Sequence, residues 1–327
     1  MAHLSFDDRI GLVFLSLSVI FVIITAWRFR EFRTAVRRLA IVMIILMIAL
    51  VLLHFPYDFD TPSAAAKAFD DEKYYIKEFV GEAAPEFENF PELHQQIKHE
   101  VASFVERHAL KKKHVLDIGA GTGYLQDIVD DYTGLDIAPA AQRYFHKRFV
   151  AGSATALPFP DNEFDAAWSV FVYEHVVNPE RGFMEARRVV RNGGLFFLSP
   201  AWNCPTWLAD GYEVRPYSDF SLREKLVKAS LILRTLPAFQ AYYRYPIRAL
   251  RLLSAYSSHG PTKLRYNLLH PNYSNYWEAD SDAVNSIDRF EALQWFLSRG
   301  DECLNCSLQR GFWFQDGPLI LQINKRQ

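Results

Sequence analysis

The sequence predicts an α/β protein with a doubly wound, mainly parallel sheet, preceded by a transmembrane helical hairpin. Three observations support this: short apolar segments alternate with helical segments after residue 110, a glycine-rich loop follows the first of them, and two uncharged stretches lie near the N-terminus. Such alternation favours a parallel sheet that binds its ligands at the carboxyl edge. With 327 residues, half of them hydrophobic, the chain can form one large domain with additions.

The N-terminal stretches are residues 10–27 and 39–55, and neither contains a charged residue. Each approaches the roughly 17 to 25 residues that a membrane-spanning helix needs, and neither has the polar face of a soluble helix. A buried soluble hairpin is the alternative. We therefore predict two transmembrane helices joined by an arginine-rich loop within residues 1–55, followed by a polar connector at 56–90.

The remaining residues, 91–327, are predicted to form one domain. Apolar spacing predicts a helix over 91–109, and strands are expected at about 114–118, 132–136, 148–151, 164–170 and 194–199. Asn178 and Pro179 are typical of a helix start, and Gly193 of a helix end. A later amphipathic helix is expected over 285–299, with last strands at about 301–309 and 318–324. The intervening segment, about 200–284, is too long for an ordinary connection, and we interpret it as an inserted substrate lid.

The first predicted strand ends in an acid, Asp117, and then in alternate glycines at Gly119, Gly121 and Gly123. Alternate glycines permit a sharp turn and the close approach of a ligand. Dinucleotide-binding folds use a similar turn, G-x-G-x-x-G, but its last glycine is replaced here by Tyr124, and a carboxylate suits a cationic ligand better than a pyrophosphate. Asp136 ends the second strand, where an acid can accept both hydroxyls of a ribose. The pattern indicates a nucleoside with a positively charged tail.

These residues, together with 151–167 and 187–199, resemble the motifs of the class I S-adenosylmethionine-dependent methyltransferases. The resemblance covers about residues 90–200 and, more faintly, the last forty. It implies a Rossmann-like, seven-stranded sheet with an antiparallel last strand, and S-adenosylmethionine as cofactor. The implied cofactor-binding residues are Asp117, Gly119, Gly121, Gly123, Asp136, Ser153 and Ala154. The family often has an acid at the position of Ser153, so Ser153 or a backbone group is expected to contact the adenine here.

The resemblance also places acceptor-side candidates after the fourth and fifth strands. Tyr173, Trp202 and Asn203 are expected to line the acceptor pocket, and packing within the lid is the alternative for Trp202 and Asn203. His175 is a candidate general base, because imidazole exchanges protons near neutral pH, and a positioning or helix-capping role is the alternative. The chain lacks the Asn-Pro-Pro-aromatic and Asp-Pro-Pro-aromatic motifs of amino-methylating enzymes at this place. An oxygen or carbon acceptor is therefore favoured.

Charge patterning bears on localisation. Eight Lys or Arg residues and no Asp or Glu occur between Lys225 and His270, interleaved with aromatic residues. This pattern suits the anionic cytoplasmic leaflet, and a solvated helical face is the alternative. The five arginines of residues 28–38 indicate, by the positive-inside rule, a cytoplasmic loop and an external domain. S-adenosylmethionine is made in the cytoplasm, however, so we expect a two-span membrane protein with a cytoplasmic catalytic domain.

The charge and cysteine content of the chain disfavour some other classes of function. After residue 53 the chain carries 30 basic and 35 acidic residues, which disfavours nucleic-acid binding. No metal site is predicted, because Cys303 and Cys306 lack a second ligand pair; both are expected to be free buried thiols. We therefore expect methyl transfer from S-adenosylmethionine to an oxygen or carbon of a membrane-proximal small molecule, lipid or lipid-linked glycan. The alternatives are a non-catalytic membrane scaffold that retains the fold, and a nicotinamide oxidoreductase.

Overall fold

The computed structural model describes residues 33–53, 76, 91–236, 248–253, 260–272, 279–306 and 317–325. The chain divides into two compact units. The first comprises 61–205, 260–274 and 279–327, and the second comprises 1–60, 206–259 and 275–278. The predicted first span, residues 10–27, and the predicted connector, 56–90 apart from residue 76, lie outside the described residues.

The first unit contains all the described strands. They are β1 His114–Ile118, β2 Asp131–Asp136, β3 Arg148–Ala151, β4 Phe164–Val170, β5 Val190–Ser199, β6 Tyr266–Leu268, β7 Asn285–Ile287, β8 Glu302–Cys303 and β9 Leu319–Gln322. Seven of these strands form one sheet in the order β3-β2-β1-β4-β5-β9-β8, and β6 pairs separately with β7. Strands β1 to β5 are parallel, whereas β9 is antiparallel to both β5 and β8. The predicted doubly wound sheet with an antiparallel last strand is confirmed.

The main α-helices of the described residues are α1 Arg33–Leu53, α2 Pro91–Arg107, α3 Pro179–Val189, α4 Leu222–Arg234 and α5 Arg289–Leu297. Both faces of the sheet are buried. Phe104 of α2 packs with Val115 and Trp168 on one face, and the helices α3 and α5 pack against Leu116 and its neighbours on the other. The strand order reverses between β1 and β4, so a crevice for ligands is expected at the carboxyl ends of these two strands.

Helix α3 starts as predicted, but it ends earlier. The Asn178 side chain accepts a hydrogen bond from the Arg181 N–H, and Pro179 occupies the first turn. The helix ends at Val189, and β5 begins at the next residue. Gly193, predicted to end the helix, lies instead within β5 with a φ of +74°. Its N–H donates to the Ile323 carbonyl, because the last segment of the chain pairs with this strand.

Two further helical predictions were partly wrong. The helix predicted over 285–299 begins only at Arg289, because residues 285–287 pair with β6 and the Asp288 side chain caps the helix by accepting from the Phe290 N–H. Residues 121–130 form turns rather than a helix. A 3-10 helix, Pro139–Tyr144, follows β2.

Helix α1 covers most of the predicted second span, residues 39–55. Across the described parts of the chain, we find no helix that combines the length and the apolar character needed to cross a membrane. Several apolar residues of α1 are exposed, namely Leu39, Ile41, Val42, Met43 and Ile45.

The prediction that Cys303 and Cys306 are free thiols was wrong. Cys303 and Cys306 form a disulfide, with their Cα atoms 5.5 Å apart. The turn that follows β8 brings these Cα atoms into the range of about 4.4 to 6.8 Å that a disulfide requires. Cys204 is a free, buried thiol.

Candidate cofactor and acceptor site

The loop after β1 has left-handed backbone at all three glycines, with φ values of +75° for Gly119, +52° for Gly121 and +70° for Gly123. The surroundings of the three differ. A Cβ on Gly119 would lie 2.2 Å from Val172 Cγ2, and one on Gly123 would lie 2.7 Å from the Phe145 ring. A Cβ on Gly121 would meet no atom within 4 Å. The open side of the loop is therefore at Gly121.

Asp136, the last residue of β2, faces this open position. Its Oδ2 accepts from the Gly121 N–H and its Oδ1 from the Ala138 N–H, both at 2.9 Å. Burial raises the pKa of Asp136, and these backbone hydrogen bonds oppose the increase. A carboxylate has about four lone-pair sites, so acceptor capacity remains for the hydroxyls of a ligand. The ribose contact of Asp136 stays a prediction.

Asp117 lies in β1, two residues before the loop, and is buried. The Tyr132 hydroxyl donates to its Oδ2 at 2.8 Å. Burial raises the pKa of Asp117 to about 7, the Tyr132 hydrogen bond opposes this, and the charge of Asp136 adds to it. A cation bound nearby would favour the ionised form. Asp117 is thus a buried carboxyl whose charge can respond to a cationic ligand at the loop.

The predicted adenine contacts follow β3 at the same edge of the sheet. The Gly152 N–H donates to the Asp136 carbonyl at 2.9 Å, which joins the two segments. Ser153 and Ala154 are both half-buried. The Ser153 hydroxyl is hydrogen-bonded to the Thr155 hydroxyl at 2.9 Å. The structure therefore brings Ser153 and Ala154 next to the Asp136 segment.

The loop after β4 lies directly against the glycine loop, since the Val172 side chain occupies the space above Gly119. Tyr173, predicted to line the acceptor pocket, is fully buried, and its hydroxyl donates to the Gly182 carbonyl at 3.2 Å. Its ring packs on Phe183 of α3. Because the 3-10 turn of residues 173–175 directs this ring inward, Tyr173 belongs to the core rather than to an open pocket.

Glu174 is also fully buried. Its Oε1 accepts from the Ala201 N–H at 3.0 Å, while its Oε2 has no hydrogen-bond partner. Burial raises the pKa of Glu174 to about 7; the charge of His175 opposes this, and that of Asp280 adds to it. Glu174, which precedes the candidate base His175, therefore places a buried carboxyl group in the loop that follows β4.

His175 is half-buried between carboxyl groups. Its Nε2 lies 4.0 Å from Glu174 Oε1, and its Nδ1 lies 4.0 Å from Asp282 Oδ2. Asp280 approaches the same group, and one ligand atom each of Glu174, His175 and Asp280 lies within 4.8 Å of the other two. Sequence reasoning missed Asp280 and Asp282, because these two aspartates lie more than 100 residues from His175 and follow no local motif.

The other acceptor candidates follow β5. Trp202 is half-buried, and its Nε1 donates to the Gly317 carbonyl at 3.2 Å. Asn203 has left-handed backbone with a φ of +59°, and its Nδ2 is buried without a hydrogen-bond partner. Leaving a buried donor unpaired costs about 1 to 3 kcal/mol, which an acceptor oxygen on a ligand would recover. Asn203 is therefore the better-placed polar contact of the two.

Comparison with known proteins identifies the family. The methyltransferase domain family matches residues 116–198. A phthiotriol/phenolphthiotriol dimycocerosates methyltransferase 1 of Mycobacterium ulcerans is 31% identical over 200 residues, which cover 53% of this chain and 72% of that protein. The chain belongs to the S-adenosylmethionine-dependent methyltransferases. A demethylmenaquinone methyltransferase of Renibacterium salmoninarum is 37% identical to this methyltransferase over 95 residues, 26% of this chain and 40% of that protein.

Coverage of the relatives is partial. The methyltransferase spans 38% to 53% of the length of the first four curated relatives that it matches. Among solved structures, the YcgJ protein of Bacillus subtilis matches at 26% identity with a TM-score of 0.29, over 32% of this chain and 52% of that one.

S-adenosylmethionine is the cofactor of this family, and the residues present fit it. The space above Gly121 is open, and Asp136 beside it retains acceptor sites for ribose hydroxyls. Asp117 supplies a buried carboxyl beneath the loop. The methyltransferase thus brings together Asp117, Asp136 and the glycine loop, with Ser153 and Ala154 beside them.

Proposed function

We propose that this protein transfers the methyl group of S-adenosylmethionine to an oxygen or carbon atom of an apolar, lipid-like small molecule. The observation that carries the proposal is the open position above Gly121, bordered by the Asp136 carboxylate. When bound there, the cofactor supplies a methyl group already activated by its sulfonium. The protein then has to orient the acceptor and exclude water.

The acceptor atom attacks the methyl carbon in line. As the new bond forms, the carbon–sulfur bond breaks and its electron pair stays on sulfur, which leaves a neutral thioether. An oxygen acceptor also releases a proton. The groups that can assist this lie in the loop after β4, where His175 stands between the carboxyls of Glu174 and Asp282. The unpaired Nδ2 of Asn203 offers a donor to an acceptor oxygen.

An apolar acceptor is supported by the second compact unit. Helix α4 exposes a stripe of apolar side chains at helical spacing, formed by Leu222, Leu226, Ala229 and Leu233. Positions i, i+4, i+7 and i+11 share one face of a helix, and contiguous exposed apolar surface marks contact with apolar partners. Two of the relatives bear names that refer to dimycocerosates and to demethylmenaquinone.

Membrane attachment through residues 1–55 and a cytoplasmic catalytic domain belong to the same proposal. They are supported by the uncharged stretches 10–27 and 39–55 and by the basic segment between Lys225 and His270. A cysteine introduced at the C-terminus of the full chain should react with an impermeant reagent only after cells are permeabilised. Labelling in intact cells would contradict the cytoplasmic placement.

Isothermal titration of the full-length protein with S-adenosylmethionine tests the cofactor site. We expect one binding site, with affinity reduced at least tenfold by Asp136→Ala, because the variant removes the ribose acceptors. Absence of binding, or binding that Asp136→Ala leaves unchanged, would contradict the proposal and favour a non-catalytic scaffold. Binding of a nicotinamide dinucleotide instead would indicate an oxidoreductase.

The acceptor is sought in cells with and without the protein. Lipid extracts should differ by a species heavier by one methylene, about 14 daltons, only when the active protein is present. The Asp136→Ala variant is the matched control, since it retains the rest of the chain. A mass difference that appears in water-soluble metabolites and not in lipids would overturn the lipid-like acceptor while leaving methyl transfer intact.

A further inference from the structure

The cluster of Glu174, His175 and Asp280 has the composition and spacing of a metal site. Its three ligand atoms lie within 4.8 Å of one another, so a point exists within about 2.8 Å of all three. First-row divalent cations bind carboxylate oxygen and imidazole nitrogen at about 2.0 to 2.2 Å. Side-chain movements on the order of 0.7 Å would therefore close a coordination shell of that size.

Glu174 supplies independent support for a ligand. Its carboxyl is fully buried, and Oε2 has no hydrogen-bond partner although Oε1 accepts from the Ala201 N–H. A buried carboxyl oxygen without a partner is unfavourable. In the described part of the chain, no lysine or arginine forms an ion pair with Glu174 or Asp280. A cation bound beside Glu174 would compensate the charges of the Glu174 and Asp280 carboxyls.

Asp282 lies on the Nδ1 side of the His175 ring, where a metal-binding histidine commonly has a supporting carboxylate. The Nε2 of His175 faces Glu174, and the opposite nitrogen, Nδ1, faces Asp282 Oδ2 at 4.0 Å. Metal-binding histidines commonly donate the other ring N–H to a carboxylate, which fixes the tautomer and the orientation of the ring. With Nε2 as the ligand atom, Nδ1 would be the nitrogen that Asp282 supports.

The backbone holds the two parts of the cluster together. The Val284 N–H donates to the Glu174 carbonyl at 3.0 Å. The Asn285 side chain donates to the carbonyls of Tyr173 and Val176 at 2.8 and 2.7 Å. These contacts tie the segment that carries Asp280 and Asp282 to the turn that carries Glu174. The ligand set is therefore fixed by the fold rather than by flexible side chains alone.

We propose that Glu174, His175 and Asp280 bind a divalent cation, with Asp282 orienting the imidazole. Two carboxylates and one imidazole suit manganese or zinc better than calcium, which prefers six to eight oxygen ligands. The role of the cation rests on the proposed methyl transfer. It would coordinate a hydroxyl oxygen of the acceptor, whose proton then leaves to solvent, and the resulting metal-bound oxygen would accept the methyl group. The acceptor would accordingly be an alcohol, enol or phenol, and His175 a ligand rather than a base.

The test uses the full chain after treatment with a chelator. Mn²⁺ is added in the absence of S-adenosylmethionine, and free Mn²⁺ is followed by its electron paramagnetic resonance signal, with Zn²⁺ added as a competitor. We expect about one Mn²⁺ site per chain, displaced by Zn²⁺, with affinity at least tenfold weaker in both Glu174→Gln and Asp280→Asn. Asp130→Asn is the control, because Asp130 is exposed and pairs with Lys111. It should bind Mn²⁺ like the unchanged protein.

The results of the metal-binding test can be distinguished from the results of the cofactor-binding test. If neither Mn²⁺ nor Zn²⁺ binds, or if both variants bind as well as the control, the metal proposal is overturned. Titration of S-adenosylmethionine into Asp280→Asn shows whether that variant still folds and binds cofactor, since Asp280 lies outside the glycine loop and its neighbours. Metal binding without cofactor binding would contradict the proposed methyl transfer and support the metal site.

Discussion

Gly121 and Gly193 form a matched pair for testing the cofactor site. Both have left-handed backbone, with φ of +52° and +74°, and at both an added Cβ would meet no atom within 4 Å. Replacement by alanine therefore costs mainly backbone strain, about 1 to 2 kcal/mol. At about 2 to 4 °C of Tm per kcal/mol, both variants should melt roughly 2 to 8 °C below the unchanged protein in a thermal unfolding assay.

The two variants should differ in binding. The methyl group of Gly121→Ala enters the space beside Asp136 where we place the ribose, whereas Gly193 lies in β5 near the Ile323 carbonyl. We expect Gly121→Ala to bind S-adenosylmethionine at least tenfold more weakly, a loss of about 1.4 kcal/mol or more, by calorimetry. Gly193→Ala should keep the original affinity. Equal affinities in the two variants would refute the assignment of this space to the cofactor.

Three further outcomes are expected. In the fold the pKa of Asp117 is raised from 3.8 to about 7, so the native state holds a proton that the unfolded chain has lost. Stability should therefore fall as pH rises through this interval, by about 4 kcal/mol in total. Urea unfolding at pH 5 and pH 8 should show a smaller fall for Asp117→Asn. Gly119→Ala should be less stable than Gly193→Ala, because its Cβ also clashes with Val172, and adding Val172→Ala should restore part of the thermal stability. Asp301→Asn should lower the free energy of unfolding, measured with urea, by about 3 to 5 kcal/mol. The reason is that the buried Asp301 carboxylate accepts from Arg187 Nε at 2.6 Å and from Nη2 at 2.9 Å. A loss below about 1 kcal/mol would show that this ion pair does not stabilise the fold.

The signals that mark the cofactor half of the candidate site are local in the sequence. The glycine loop, Asp117 before it and Asp136 all lie between the start of β1 and the end of β2. Because β1 and β2 are parallel, their carboxyl ends lie at the same edge of the sheet. The two-residue cap of α3 was predicted for the same reason, since Asn178 and Pro179 act on their own helix. The boundary between α3 and β5, near Gly193, was not predicted. It depends on the pairing of β5 with the last segment of the chain.

The acceptor half could not be predicted in the same way. Tyr173 was chosen from its position after β4, yet the direction of its ring depends on contacts with α3 that no local pattern encodes. The Asp280 and Asp282 carboxyls near His175 come from the end of the 200–284 insertion, and only tertiary hydrogen bonds bring them to the turn. The disulfide between Cys303 and Cys306 likewise depends on the turn that follows β8.

A packing contact between two loops links the two halves of the candidate site. Gly119, in the cofactor loop, leaves room for Val172, in the loop that leads to Glu174 and His175. Because β1 and β4 are neighbouring parallel strands, their carboxyl ends hold these loops side by side at the point where strand order reverses. The separation between the methyl donor and the acceptor groups is then set by rigid strands and one close contact. This explains why a glycine is required at 119 even though its Cβ space faces protein rather than ligand.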